Sequence, residues 1–506
     1  MKTPQPRLRS IGVVPSAEGG PAEITGPGAV SSEARQRLQD ALHSSLLKAC
    51  PAHSWPGNLY LSKCPYPVLV GREHLAGLAS LNEVLVTAID DIVTRWWTDS
   101  SANFPTRMPL QPVEERLLQW LDDARRTGSI SPFRERCGSW RPDFLIEELI
   151  RRKDGRETFR ICEINARFCW NGFMVNALGQ DALVHTGITG HELMGATDSQ
   201  TEFFDAFQRL YNPTLPLHLL KGQEPGVDIH LYAHYVKTHM GQRVRFITPA
   251  DLRLIPCHQS PGGQKLCCLV DSQSPMGGIE FRNEAGELVE EIHQVSLELH
   301  HHELLALRYE VLQEISLRCF NDMRTLLLVH DKRMLGIVLE EMDSFVAREV
   351  LTPQGASLLK QGICHTILPG SSHLAHLIEQ CRQQRDLKDE YLLKPARGGK
   401  GEGIVLGENM TPEAWVTRLE ELTSPSLVAG GATYVIQRRV RQAKYEILLK
   451  DATGVQHLPI VGTYHAIHGE FLGIGIWRSS PGPVCTLSHG GTWMCSVLQD
   501  DSEGGC

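Results

Sequence analysis

In the segments RPDFLIEELI and FRICEINAR, Asp143 and Glu163 each fall on a short apolar run, and Asn165 follows Glu163 by two residues. Between the runs lies RRKDGRET, a polar stretch holding an Asp-Gly pair. That pattern predicts two antiparallel strands joined by a loop. Residues two apart on a strand share a face, so Glu163 and Asn165 project together and Asp143 faces them from the neighbouring strand. Two carboxylates and an amide oxygen make a hard oxygen set suited to Mg²⁺, which keeps its other positions for water and substrate phosphates. Arg141 shares the face of Asp143 and is placed to stabilise negative charge developing in a transition state. An acid on a strand as apolar as RICEIN is costly to bury alone, which favours a cation as its partner.

A second cluster lies more than 200 residues downstream, in YLLKPARGGKGEGIVLG. Lys394 ends one strand, and Gly398, Gly399, Gly401 and Gly403 turn the chain into the next. Glycines let backbone N–H groups approach phosphate oxygens closely, and Lys394 and Lys400 add full positive charges. No GK[ST] follows a GxxxxG spacing, so this is not a Walker A loop, and IVLG is strand-like, which excludes a dinucleotide fingerprint. A Gly-rich hairpin with a strand lysine suits a clamp over ATP. Either motif alone is equally a charged surface hairpin; their joint presence favours chemistry.

Together these residues resemble the ATP-grasp superfamily. The metal hairpin precedes the phosphate clamp, an order similar to the circularly permuted branch typified by glutathionylspermidine synthase-like carboxylate–amine ligases. The resemblance spans roughly residues 65–495. It implies Asp143, Glu163 and Asn165 as magnesium ligands, and Arg141 as the arginine on the acyl phosphate and the tetrahedral intermediate. Lys332, in VHDKRML, and Lys394 match the two nucleotide-contacting lysines, and Gly398 to Gly403 the phosphate loop. In TYVIQRRVRQAKYEILL, Gln437 occupies the hinge position facing the adenine amino group, where Glu is more frequent, and an amide oxygen also accepts that bond. Arg438 to Val440 would offer backbone groups to the ring, and Glu446 matches the carboxylate on the ribose hydroxyls. FCWNGF replaces the loop seen in many relatives, which makes Trp170 and Asn171 candidate substrate-pocket residues. Arg478, in GIGIWRSS, is a candidate for phosphate or substrate.

The implied cofactors are ATP and Mg²⁺. The implied reaction is activation of a carboxylate as an acyl phosphate, then amide formation with an amine, releasing ADP and phosphate. The rival readings are a phosphotransferase that makes no amide and a regulatory pseudo-ligase. Small-molecule partners are expected, and self-association is left open.

The elements that must position these groups read as an α+β chain: an antiparallel-sheet clamp over a central α/β core, with a largely helical N-terminal region. Helices are predicted at 33–48, from about 71 to 97, and over VEERLLQWLDDARRTG, ending at Gly128 after Arg125 and Arg126. Strands are predicted at 67–70, 227–233, 244–248, LLLVH and 364–367, one long helical pattern at 289–325, and three strands in 457–498. Thr411 is the expected N-cap of a helix at 412–422. The domains read as a disordered 1–30, a helical 31–139, a metal-hairpin and substrate region at 140–325, an ATP clamp at 326–498 and a disordered tail at 499–506.

Composition agrees with a folded globular protein: 506 residues, 42% hydrophobic and 22% charged, with a formal net charge of −9. The acidic balance disfavours nucleic acid. The sequence has neither a signal-peptide core nor an apolar run long enough for a bilayer, so a cytoplasmic protein without membrane contact is expected. The 14 cysteines are scattered, apart from the adjacent Cys267 and Cys268, and read as reduced, mostly buried thiols. No Cys/His spacing typical of a zinc site is present, and His300 to His302 read as a solvated helix turn.

Overall fold

The structure is a computed structural model describing residues 8–14, 22–148, 157–190, 192–197, 200–260, 262–270, 280–427, 433–449, 454–482, 484–485, 487 and 490–499. Strands Ser139–Glu147 and Thr158–Asn165 form the expected antiparallel pair. Their turn falls largely outside the described residues. The pair sits within a six-stranded sheet, ordered Thr492–Met494, Trp477–Ser479, Val461–Ile467, Ser139–Glu147 and Thr158–Asn165, with Glu470–Ile474 also paired to Val461–Ile467. Asp143 lies opposite Glu163 and Arg141 opposite Asn165, so all four side chains share one face. The register shifts between Asp143 and Phe144, which then faces Ile161, leaving Cys162 as the extra residue of a bulge.

The clamp is a second antiparallel sheet, ordered Thr366–Ile367, Tyr434–Arg438, Tyr391–Pro395 and Val405–Leu406. Helices Ser372–Gln383 and Pro412–Glu420 pack their apolar stripes against it, around Leu374, Leu377, Leu393, Trp415, Leu419 and Ile436. Thr411 caps the second helix as expected, its Oγ1 accepting from Ala414 N at 3.2 Å. This small core is separate from the main one.

The helical expectations near the N-terminus hold: Ser32–Ala49 buries Leu38, Leu42 and Leu46, Arg72–Arg95 follows strand Val68–Val70, and Pro112–Arg126 ends before Gly128. Residues 1–30 are not a disordered leader throughout. Arg9–Ser10 pairs with Val68–Val70, and Gly12–Val14 with Glu23–Thr25, because Leu8, Ile11 and Val13 bury apolar side chains. Strand Ser496–Gln499 runs parallel to Val68–Val70 in the same sheet, tying the two ends of the chain together. Residue 499 is therefore a strand residue, and the rest of the expected tail, 500–506, lies outside the described residues.

Other elements differ from expectation. The 289–325 pattern is two strands, Leu288–Glu291 and Val295–Glu298, then helices His301–Leu305 and Tyr309–Arg318. Residues 227–233 belong to helix Asp228–Tyr235, which crosses between the parallel strands Leu217–Lys221 and Val244–Ile247. LLLVH is helical at Thr325–Val329: every residue there is buried, so no amphipathic period distinguishes helix from strand. Among the described residues of 456–499 there are six strands, not three. Helices and largely antiparallel sheets together make an α+β fold. Among the described residues no helix is long and apolar enough to cross a membrane.

Candidate active site

Asp143 is 1% exposed and stands at the centre of the hairpin's charged face. Arg141 Nε donates to its Oδ1 at 2.9 Å, and Arg478, arriving from strand Trp477–Ser479, donates to its Oδ2. Asn165 Nδ2 donates to Asp143 Oδ1 at 3.1 Å and to Glu163 Oε1 at 3.5 Å, so its amide links the two carboxylates. Asn171 supports them from the side. Its amide donates to the Asn165 carbonyl at 3.3 Å, and its own carbonyl accepts from Arg141 Nη1 at 3.5 Å.

Lys332 joins the hairpin to the phosphate loop. Its Nζ lies 3.2 Å from Glu163 Oε2 and donates to the Gly398 carbonyl at 2.6 Å, while its N–H donates to the Ala396 carbonyl at 2.9 Å. Burial favours the neutral acid at Glu163, but Lys332, Lys394 and Arg478 outweigh it and hold the carboxyl far below the usual range. Burial alone would lower the Lys394 ammonium; the nearby Cys162, Glu163, Cys364 and Asp143 raise it to about 12.

The loop takes the conformation its glycines permit. Lys400, Gly401 and Gly403 all have positive φ, and a Cβ on Gly403 would come within 2.9 Å of the Pro395 ring. A Cβ on Gly399 would meet nothing within 4 Å, so that backbone borders open space. Lys400 Nζ reaches Glu224 at 3.0 Å, carrying the loop toward the central region.

Hairpin, clamp and loop enclose a cleft of about 1380 Å³, lined by Asp143, Glu163, Lys394, Lys400, Gly401, Gln437, Arg438, Val440 and Arg478. Gln437 is 2% exposed, and its Nε2 donates to the carbonyl of the bulged Cys162 and to Thr366 Oγ1, both at 3.0 Å. The Gln437 side chain thus fastens the clamp sheet to strand Thr158–Asn165.

Several expected site residues do not border the cleft: Arg141, Asn165, Lys332, Gly398, Gly399 and Gly403 lie outside its lining, and Glu446, Trp170 and Asn171 are placed otherwise. Glu446 is exposed on strand Lys444–Ile447 and borders a smaller groove with Arg9, Thr25 and His457, because Ile447 takes the buried face of that strand. Trp170 is core: it stacks on Tyr232 and Phe207 at 4.0 and 4.4 Å, and its Nε1 donates to Ser296 Oγ at 2.6 Å. Asn171 acts on Arg141 and Asn165 and does not border the cleft.

Sequence reasoning missed a supporting cluster beside Lys332. Asp331 accepts from Arg333 Nη2 and Arg397 Nε, both at 2.8 Å. Arg397 continues to Glu114 and to His301 Nε2, the latter at 2.6 Å. His301 is therefore tied into a buried ionic network and is not part of a solvated turn. The visible signal was the charge alternation of VHDKRML and the arginine just before the glycines.

The chain is 37% identical over 480 residues to the ATP-grasp enzyme ankG of Aspergillus thermomutatus, covering 93% of this chain and 95% of that one. A family model described as the AnkG N-terminal domain matches residues 81–328. The chain belongs to the ATP-grasp enzymes. A glutathione synthetase-like effector from Globodera pallida, in its apo form, aligns over 92% of this chain and 97% of its own, at 12% identity and a TM-score of 0.49. That likeness is too slight to carry an argument.

Proposed function

We propose that the protein is an ADP-forming ligase that uses ATP to activate a carboxylate and joins it to an amine through an amide bond. The observation that carries this reading is the charge grouping on the hairpin's face. Arg141, Lys332, Lys394 and Arg478 surround Asp143 and Glu163, and of these Asp143, Glu163, Lys394 and Arg478 line the cleft, in a chain whose net charge is −9. A local excess of positive charge inside an acidic protein suits a polyanion such as ATP.

Each side chain then has a task. Lys394 and Lys332 hold the phosphates, and Gly399 lets the loop backbone approach them. Asp143, Glu163 and Asn165, linked through the Asn165 amide, are the donor set that fits Mg²⁺, which when bound neutralises phosphate charge. Arg141 and Arg478 now spend their donors on Asp143; turning toward the substrate, they hold the carboxylate and the oxyanion that forms from it. The γ-phosphoryl group passes from ATP to a carboxylate oxygen, giving an acyl phosphate and ADP. The amine nitrogen attacks the acyl carbon, the bond to the phosphate oxygen breaks, and the nitrogen gives up a proton. The substrates are small molecules, and nucleic acid has no part in the reaction.

A cytoplasmic setting belongs to the same reading. It is supported by the cysteines of the described residues, all of them free and most of them buried.

The test is ADP release, followed with ATP and Mg²⁺ across panels of carboxylates and amines, together with mass spectrometry of the products. ADP should form only when both substrates are present, with a product equal to their sum less one water. Full-rate ADP formation without any amine would replace ligation with phosphoryl transfer alone.

A further inference from the structure

Away from the cleft, two sheets meet at residues to which the nucleotide chemistry assigns no role. His218 lies on the parallel strand Leu217–Lys221, in register with Arg245 of Val244–Ile247. Cys268 lies on Gln264–Leu269, in register with Glu290 of Leu288–Glu291 in the antiparallel sheet. His218 and Cys268 are fully buried and Glu290 nearly so. One ligand-capable atom from each of the three falls within 4.8 Å of the other two.

Their hydrogen bonding is incomplete in a way the interior does not normally tolerate. Neither ring nitrogen of His218 makes a hydrogen bond; its Nε2 faces Glu290 Oε2 at 3.8 Å, an ion-pair separation beyond hydrogen-bond length. Arg245 Nε donates to Glu290 Oε2 at 2.9 Å and leaves Oε1 without a partner. Pairing His218 with Glu290 would satisfy one ring nitrogen and involve no atom of Cys268. A single cation would take one imidazole nitrogen together with the thiolate and a carboxylate oxygen, which is what their convergence within 4.8 Å allows.

The geometry points to a zinc-binding site formed by His218, Cys268 and Glu290, fastening the parallel sheet to the antiparallel one. Sulfur, nitrogen and oxygen donors together suit Zn²⁺ better than the all-oxygen set of the cleft, and three protein ligands leave a fourth position for water. The thiol of Cys268 binds as thiolate, so metal entry would release its proton to solvent. Arg245 fits this arrangement as the outer group that orients a ligating carboxylate. Sequence spacing could not reveal the site, since its ligands come from three separated strands.

The test uses the full-length protein expressed in zinc-supplemented medium, with metal measured by plasma mass spectrometry after gel filtration. About one zinc per chain is expected in the wild type and in Glu163→Gln, and less than a tenth of that in Cys268→Ser and His218→Ala. Because a core substitution can unfold the chain, the wild-type protein is also reconstituted with Co²⁺. A near-ultraviolet thiolate-to-cobalt charge-transfer band should appear, and excess Zn²⁺ should abolish it. Substoichiometric zinc with no cobalt band would overturn the site. So would zinc retained equally in folded Cys268→Ser and His218→Ala, or lost only in Glu163→Gln, which would place the ion in the cleft.

Discussion

Asp331 and Lys332 are adjacent in the chain, yet they belong to ionic clusters of different kinds. Around Asp331 the network closes on itself: Arg333 and Arg397 bind its two oxygens, and Arg397 goes on to Glu114 and His301. Around Lys332 the network stays open on one side. Four cationic side chains stand around Asp143 and Glu163, and Lys394 and Arg478 among them line the cleft. Residue types are the same in both, so type alone does not separate scaffold from site. The difference lies in whether the charges balance and whether they border space. The closed cluster also serves the open one: Arg397 stands directly before Gly398 and Asp331 directly before Lys332, so the network sets the loop and the lysine in place together.

Breaking the closed cluster should cost stability. Arg397→Ala leaves Asp331 and Glu114 short of a buried cation, an expected loss of about 3–5 kcal/mol in urea unfolding. A loss below about 1 kcal/mol would mean that the two clusters do not differ as described. Breaking the open cluster should instead cost turnover. Glu163→Gln should lower ADP release about 10²- to 10³-fold. Unchanged turnover would remove Glu163 from the site. Lys394→Ala should weaken ATP binding by roughly ten- to a hundredfold, the worth of a hydrogen bond to a charged group, as read by calorimetry.

Acid tests the closed cluster through Asp331. Burial pushes the Asp331 carboxyl up, but Arg333 and Arg397 outweigh it and depress the group well below its ordinary value. A depressed carboxyl contributes stability above its unfolded pKa, about 4, and that stability is lost as pH falls below it. Wild-type stability should therefore decline as pH drops from about 4. In Arg397→Gln, where Asp331 keeps only Arg333, the decline should be shallower. Parallel acid limbs in urea titrations of the two proteins would contradict the assignment.

How much of this could be read in advance follows from the range of the interactions. The 139–165 hairpin was legible because its strand period, turn residues and charges lie within a short span, and the facing of Asp143 and Glu163 followed from alternation. The bulge at Cys162 was not, since nothing local marks an extra residue. Helix Thr325–Val329 and the buried Trp170 were misread for one reason: a residue apolar on all sides carries no directional signal, and only its neighbours in space decide its place. The closed cluster joins Glu114, His301, Asp331 and Arg397 across more than 200 residues of chain, a range at which sequence periodicity says nothing.

The smallest expected effect concerns the residue where family resemblance and structure part. Resemblance assigns Glu446 to the ribose hydroxyls, but its strand turns it outward, toward the groove beside Arg9 and Thr25. A group outside the cleft cannot discriminate a ribose within it, and an exposed carboxylate contributes little to stability. Glu446→Ala should therefore change ATP affinity less than about threefold, under about 0.7 kcal/mol, and should bind ATP and 2′-deoxy-ATP in the wild-type ratio. A tenfold loss confined to the ribonucleotide would show that the strand Lys444–Ile447 turns over when nucleotide binds, and would return Glu446 to the open cluster.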